Sequence, residues 1–322
     1  MIDLNIEMNT SEEINETKIW DSVIVGGGPA GYNAAMYLAR KGFEPLMIIG
    51  SKGGQLPQTN EIENYLGHEM ISGFDMSSLF ERQIKNFGVP MMDYEFVSQI
   101  TKEDDLFELE LMSKKKVKAK TVIIASGGAH RKLGVVGEDL LSGKGISYCA
   151  ICDAPFFKKK EVVVVGGGDS AVEAVIDLSK WADHVHLVHR STFRAEKILL
   201  DKMFKLENMT YELGSVIEEI RGGLSVESVV IYNKEKDERV VREVDGVFIE
   251  IGQDPQVDFV RDLVLLNEQD EIVVDRDQRT NVEGMFAAGD VTDNPHNQII
   301  IAASEGAIAA LSASDYLLKK ED

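Results

Sequence analysis

Two cysteines occur in the 322 residues, and they stand two apart in SYCAICDAPFF, Ser147 to Phe157. Cys149 and Cys152 could form a redox pair, supply half of a metal site, or be two idle thiols in a turn. A structural zinc site needs four Cys or His ligands. No second Cys-x-x-Cys exists, and His68, His130, His184, His186, His189 and His296 are scattered with no HxxxH spacing near the pair. No metal is therefore expected. Two intervening residues let the sulfurs close a small, reducible disulfide ring. A helix through Ala150–Phe157 would place its N-terminal amides where they favour thiolate. Asp153 follows Cys152 directly and could donate or accept a proton, or could be an ordinary acid at a helix start.

Such a pair needs an electron source, and the surrounding chain supplies a candidate twice. DSVIVGGGPAGYNAAMYLARKGFEPLMIIGS (Asp21–Ser51) and EVVVVGGGDSAVEAVIDLSKWADHVHLVHRS (Glu161–Ser191) align with an offset of 140 positions. Each opens on a β-branched run, Val23–Val25 or Val162–Val165, suited to a buried parallel strand. Each continues through a glycine turn, Gly26-x-Gly28-x-x-Gly31 or Gly166-x-Gly168-x-x-Ala171, into a helical stretch. A second apolar strand closes each unit, at Pro45–Ile49 and His184–Val188. The first glycine permits the tight turn, the second lets a pyrophosphate approach the backbone, and the third position packs helix on strand. The phosphates would rest on the N-terminal amides and dipole of the helix, which makes the helix starts Pro29-Ala30 and Asp169-Ser170 candidate cofactor-binding positions.

The end of the second strand in such a unit commonly carries an acid that binds ribose. The second unit has His189, Arg190 and Arg194 there instead, cations that suit a 2′-phosphate and favour NADPH over NADH. The first has Gly50-Ser51-Lys52, so backbone or Ser51 contacts must serve the ribose.

The fold class expected is α/β, with two Rossmann-like dinucleotide-binding domains. Thirty-four basic against fifty-five acidic residues give a net charge of −21, which argues against nucleic acid and anionic membranes as partners. No apolar run approaches the roughly 20 residues that span a bilayer. The segment MIDLNIEMNTSEEINETK reads as a frayed tail rather than a secretory signal, and two cysteines fit a reducing cytoplasm.

Further segments carry a resemblance. They are GGQLPQTNEIENYLG (Gly53–Gly67), IIASGGAHRKLGVVGE (Ile123–Glu138), FIEIGQDPQ (Phe248–Gln256), FAAGDVTD (Phe286–Asp293) and NQIIIAASEGAIAA (Asn297–Ala310). With the two glycine units and YCAICD, they make the chain from about Asp21 onward resemble the low-molecular-weight thioredoxin reductases, flavoproteins of the two-dinucleotide-fold class. The resemblance implies the three-layer ββα architecture, with an FAD domain built from residues 1–129 and 251–322 and an NAD(P)H domain, residues 130–250, inserted into it and able to rotate. It implies FAD contacts from Gly54, Gln55, Asn64, Gly289, Asp290, Gln298 and Ile299, besides the first glycine turn. Cys152 would face the flavin, Cys149 would attack the disulfide of a thioredoxin or glutaredoxin-like protein, and Asp153 would manage the protons. A homodimer is implied as well.

Two positions depart from the family pattern. Ile151 stands where Thr is frequent, and HRSTFR (His189–Arg194) replaces HRRxxxR, leaving two arginines where three are usual. NADPH is expected, with NADH or ferredoxin as alternative donors. A flavin oxidase, a peroxide-reducing partner or a redox sensor without turnover are the competing functions.

Overall fold

The β-branched runs and glycine turns are arranged by two sheets of similar construction. The computed structural model describes residues 18–59 and 61–321, so the expected frayed tail, apart from Lys18, lies outside the described residues. In chain order, β1 (Ile19–Val25), α1 (Pro29–Arg40), β2 (Pro45–Ile49), α2 (Gly73–Asn86) and β3 (Met91–Asp93) lead into a meander of β4 (Val97–Glu103), β5 (Leu106–Leu111) and β6 (Lys116–Ile124). Then come β7 (Gly128–His130), α3 (Glu138–Leu141), β8 (Ile146–Ser147), α4 (Ala150–Asp153), β9 (Glu161–Val165), α5 (Asp169–Leu178), β10 (His184–His189), α6 (Lys197–Met203) and β11 (Met209–Leu213). A second meander, β12 (Ser215–Gly222), β13 (Val226–Asn233) and β14 (Glu238–Glu243), precedes β15 (Gly246–Ile249) and β16 (Gln253–Pro255). Finally β17 (Met285–Ala287) and α7 (Ile299–Glu321) close the chain's described part.

The chain divides into two units. One comprises the described parts of Met1–Gly54, Ser77–Gly127 and Pro255–Asp322; the other comprises Gln55–Met76 and Gly128–Asp254. In the first, β3, β2, β1, β6 and β17 run parallel, and β5 and β4 continue from β6 as an antiparallel meander. Alternation along the strands sorts the core. Val23, Val25, Leu46 and Ile48 face Phe107, Leu109 and Val117 of the meander. Ile24, Met47 and Ile49 face the small residues Ala30, Ala34 and Ala35 of α1, with Ala309 and Ala313 of α7 in the same cluster. The strands are buried on both faces, which is why they read as unbroken apolar runs.

The second unit repeats the plan. Its parallel sheet has the order β11-β10-β9-β15-β8. Val162 and Val164 pack with Ala171, Val172 and Val175 of α5, while Val163 and Val165 pack with Ile217, Ile220 and Val229 of the meander. Both units thus have the three-layer ββα arrangement that the resemblance implies.

One local expectation needs correcting. The helix anticipated over Ala150–Phe157 is α-helical only for Ala150–Asp153 and continues as a 3-10 turn over Ala154–Phe157. Pro155 has no N–H for an i→i−4 bond, so the α-helical ladder stops there.

Candidate redox and dinucleotide sites

Cys149 and Cys152 are joined in a disulfide, their Cα atoms 5.3 Å apart. The strand β8 delivers them: Ser147 is registered against Phe248 of β15, so the chain leaves the sheet just before Cys149. Cys149 is the N-cap of α4, and its sulfur accepts from the Cys152 amide at 3.3 Å. Buried Ser147 donates its hydroxyl to Asp153 Oδ2 at 2.6 Å and accepts from the Cys149 amide at 3.1 Å. The Asp153 amide in turn donates to the Cys149 carbonyl. Burial pushes the Asp153 carboxyl above the usual carboxylate range; the Ser147 hydroxyl opposes this, and the charge of Glu61 adds to it. Tyr148 is pinned beside the pair. Its phenol donates to buried Glu138 at 3.0 Å, and its ring stacks on His130 with centroids 5.0 Å apart. A cavity of about 330 Å³ adjoins the disulfide, lined by Thr59, Glu61, His130, Cys149, Cys152 and Asp153 among others.

The second glycine turn lies in the same unit. Gly166 has φ +156°, and a Cβ there would meet the Glu250 carbonyl at 2.2 Å, so this position demands glycine. Ala171 is fully buried against the strand, as the spacing required. A Cβ on Gly168 would meet nothing within 4 Å. That leaves open space above the first turn of α5, where Asp169 and Ser170 are exposed and Gly168 makes no side-chain cap. The arm after β10 folds back on the turn, the Arg194 amide donating to the Gly167 carbonyl at 2.7 Å. Arg190 and Arg194 are exposed and make no ion pair among the described residues. His189 differs from them: it is buried against Gly167, hydrogen-bonded to Ser191 and the Thr192 carbonyl, and pushed below its usual pKa by burial. Its ring therefore braces the turn.

In the first unit, Gly26 (φ +127°) leaves no room for a Cβ beside Ala125, and Gly31 none beside the Gly26 carbonyl at 2.2 Å. Gly28 is different. A Cβ there would have only the Gly54 Cα at 4.0 Å, and α1 begins at Pro29 with no acid in its first turn and no side-chain cap. Gly289 (φ +80°) approaches Ala30 and Ala302, so Gly54 and Gly289 gather around the start of α1, with Asp290 next in the chain. Burial and the neighbouring Glu305 raise the Asp290 carboxyl to about 6. Glu305 accepts from the Gly289 amide at 2.7 Å. Ile299 opens α7, with Gln298 accepting through its carbonyl the Ala302 amide of the first turn. Ser51 is exposed at the end of β2. Gln55 and Asn64 belong to the other unit, where Gln55 donates to the Gly128 carbonyl at 3.0 Å and Asn64 is exposed.

A disulfide beside one of two glycine turns is what comparison with known proteins also finds. Residues 20–306 match the family described as pyridine nucleotide-disulphide oxidoreductase. The chain belongs to this family. A Listeria innocua thioredoxin reductase is 42% identical over 306 residues, covering 94% of this chain and 95% of that protein. A Bacillus subtilis NADH dehydrogenase is 37% identical over 310 residues, and the chain spans only 61% of its length. Among solved structures, the thioredoxin reductase from Streptococcus pyogenes superposes with a TM-score of 0.89 at 38% identity, over 94% of this chain and 99% of that one.

For a pyridine nucleotide-disulphide oxidoreductase the two turns must accept dinucleotide phosphates, and they do so sterically. At Gly28 and Gly168 the space a Cβ would take is open above helix amides without side-chain caps. The residues present therefore fit FAD and a pyridine nucleotide. Sequence reasoning missed Ser147, Glu138, Glu61 and Glu250 around the disulfide. Glu250 had a signal: it is an acid inside the apolar run GVFIEI, Gly246–Ile251.

Proposed function

We propose that this protein is a flavoprotein disulfide reductase that passes electrons from a pyridine nucleotide, through FAD and the Cys149–Cys152 pair, to the disulfide of thioredoxin or a thioredoxin-like protein. The observation that carries this reading is the disulfide itself, seated at β8 beside a half-buried, hydroxyl-bonded carboxyl. When bound, the nicotinamide and flavin supply hydride chemistry and a two-electron reductant for the disulfide. The remaining roles belong to the chain. Gly26, Gly28, Pro29, Ala30, Gly31, Ser51, Gly54, Gly289, Asp290, Gln298 and Ile299 would hold FAD, with Gln55 and Asn64 as further contacts. Gly166, Gly168, Asp169, Ser170 and Ala171 would hold the nucleotide. Cys152 would face the flavin, Cys149 would attack the partner's disulfide, and Asp153 would hold and release the proton exchanged with the thiols. Ile151, 67% exposed between the cysteines, offers an apolar contact to a protein substrate. The likeness to thioredoxin reductases also favours the division into an FAD domain (1–129 and 251–322) and an inserted NAD(P)H domain (130–250), a homodimer and a cytoplasmic setting.

A second reading concerns the donor. Arg190 and Arg194 are exposed near the turn, which favours the 2′-phosphate of NADPH, but Ser191 between them bonds inward to His189. NADH is the alternative this supports. Anaerobic titration with NADPH and then NADH, followed by oxidised thioredoxin, tests both. Bleaching of the flavin and release of thioredoxin thiols are expected, NADPH acting at the lower concentration. In Cys149→Ser, bleaching persists while thioredoxin reduction falls by at least about 10³-fold. Turnover of thioredoxin by that variant would refute the proposed thiol roles.

A further inference from the structure

Glu250 sits at the C-terminal end of β15, one residue beyond the Ile249↔Val165 pair. Its backbone is committed to the sheet and turn: the amide donates to the Val165 carbonyl at 2.8 Å, and its own carbonyl closes over Gly166. Any residue could make those contacts. Its side chain does something else, accepting at Oε1 from the amide of Ala150, the residue that follows Cys149, at 3.3 Å. A half-buried carboxyl is thereby held against the backbone of the disulfide loop, where an uncharged side chain would avoid the cost of desolvation.

We propose, on the reading of Cys149–Cys152 as a redox pair, that Glu250 is a positioning residue of that pair and takes up a proton when the disulfide is reduced. The surroundings favour this exchange. Burial holds the carboxyl up to about 8; the Ala150 amide opposes that, and the charge of Glu173 adds to it. Around it, α5 brings Glu173, the first residue of α4 brings the Ala150 amide, and β9 ends in uncharged Val165. Arg131, near Gly252, is already held by Asp254 at 2.7 Å. The charge that acts on the carboxyl is therefore negative, and a new thiolate on the neighbouring loop raises its proton affinity further.

The step balances with a dithiol as reductant. Dithiothreitol gives two electrons and two protons and closes its own ring, and the Cys149–Cys152 bond breaks. With Glu250 ionised beforehand, one proton ends on a cysteine sulfur and the other on the Glu250 carboxylate, leaving the second cysteine as thiolate. With Glu250 already neutral, that second proton is released to solvent.

Equilibration of the full-length protein with dithiothreitol redox buffers, from about pH 6 to about pH 9.5, with thiols counted after alkylation, tests the linkage. The readout is the ratio of the wild-type to the Glu250→Gln exchange constant, in which the titration of dithiothreitol cancels. The ratio should be level below about pH 7 and should fall about tenfold above pH 8, the change produced by one unit of linked pKa shift. Glu173→Gln, which removes the repelling charge and leaves Glu250 in place, should move the bend in the wild-type curve to lower pH; this arm stands even if Glu250→Gln fails to fold. A ratio level across the whole range, or a bend unmoved in Glu173→Gln, overturns the proposal. A pair that never exchanges with dithiothreitol at any pH overturns the redox reading beneath it.

Discussion

Asp153 and Ser147 show how one hydrogen bond gives a carboxyl its chemistry. The carboxyl is shielded from water, which favours its neutral form, and the Ser147 hydroxyl fixes its orientation. Its pKa is raised, so the protonated form persists to higher pH than for an exposed aspartate and is lost as pH rises through the raised value. A step that uses its proton is therefore fastest on the acid side of that value and declines above it. Asp153→Asn should lower the rate of thioredoxin reduction by about 10²–10⁴-fold and should abolish this limb of the pH–rate profile, while the disulfide still forms. Stopped-flow rates from about pH 5 to pH 9 check both parts. Asp153 itself was legible in the sequence, since it abuts Cys152. Its partner Ser147 was not singled out, because a serine two residues before a cysteine has no fixed direction until β8 is registered on β15.

The glycines of the two turns separate structural from ligand-facing positions at the scale of the element. Gly31 of the first turn, like Gly306 in α7, faces backbone: a Cβ at Gly31 would meet the Gly26 carbonyl at 2.2 Å and one at Gly306 the Ala30 carbonyl at 2.1 Å. Gly28 faces open space. Gly31→Ala and Gly306→Ala should each destabilise the fold by about 1–3 kcal/mol, visible in urea unfolding, because strand, α1 and α7 must move apart. Gly28→Ala should leave the unfolding midpoint unchanged and weaken retention of FAD on gel filtration. Loss of stability in Gly28→Ala with FAD affinity intact would contradict the assignment of that space to a pyrophosphate. The paired strands and the glycine spacing were readable from the sequence, since both follow from local backbone sterics and from burial on both faces. The break in the helix after Asp153 is also written there, in Pro155.

Taken as a whole, the molecule carries a net charge of −21, and under the proposed function Arg190 and Arg194, exposed after β10, would be the local counterweight that an anionic nucleotide needs. Replacing Arg190 and Arg194 together by Ala should raise KM for NADPH by roughly tenfold or more and leave KM for NADH nearly unchanged. Equal losses with both nucleotides would mean that the arm supports the turn and does not read the 2′-phosphate. The doubled strand–turn–helix–strand unit and the chemistry available to a lone Cys-x-x-Cys were determined by the sequence, because each rests on short-range spacing, and the family followed from the resemblance of motifs spread along the chain. Tertiary structure alone decided what surrounds the disulfide. Glu250 lies 100 positions from Ala150 in the chain, and their hydrogen bond exists only because β15 runs parallel to β8 and β9. Burial then raises the proton affinity of that carboxyl, a property of the packed neighbourhood that no local pattern encodes.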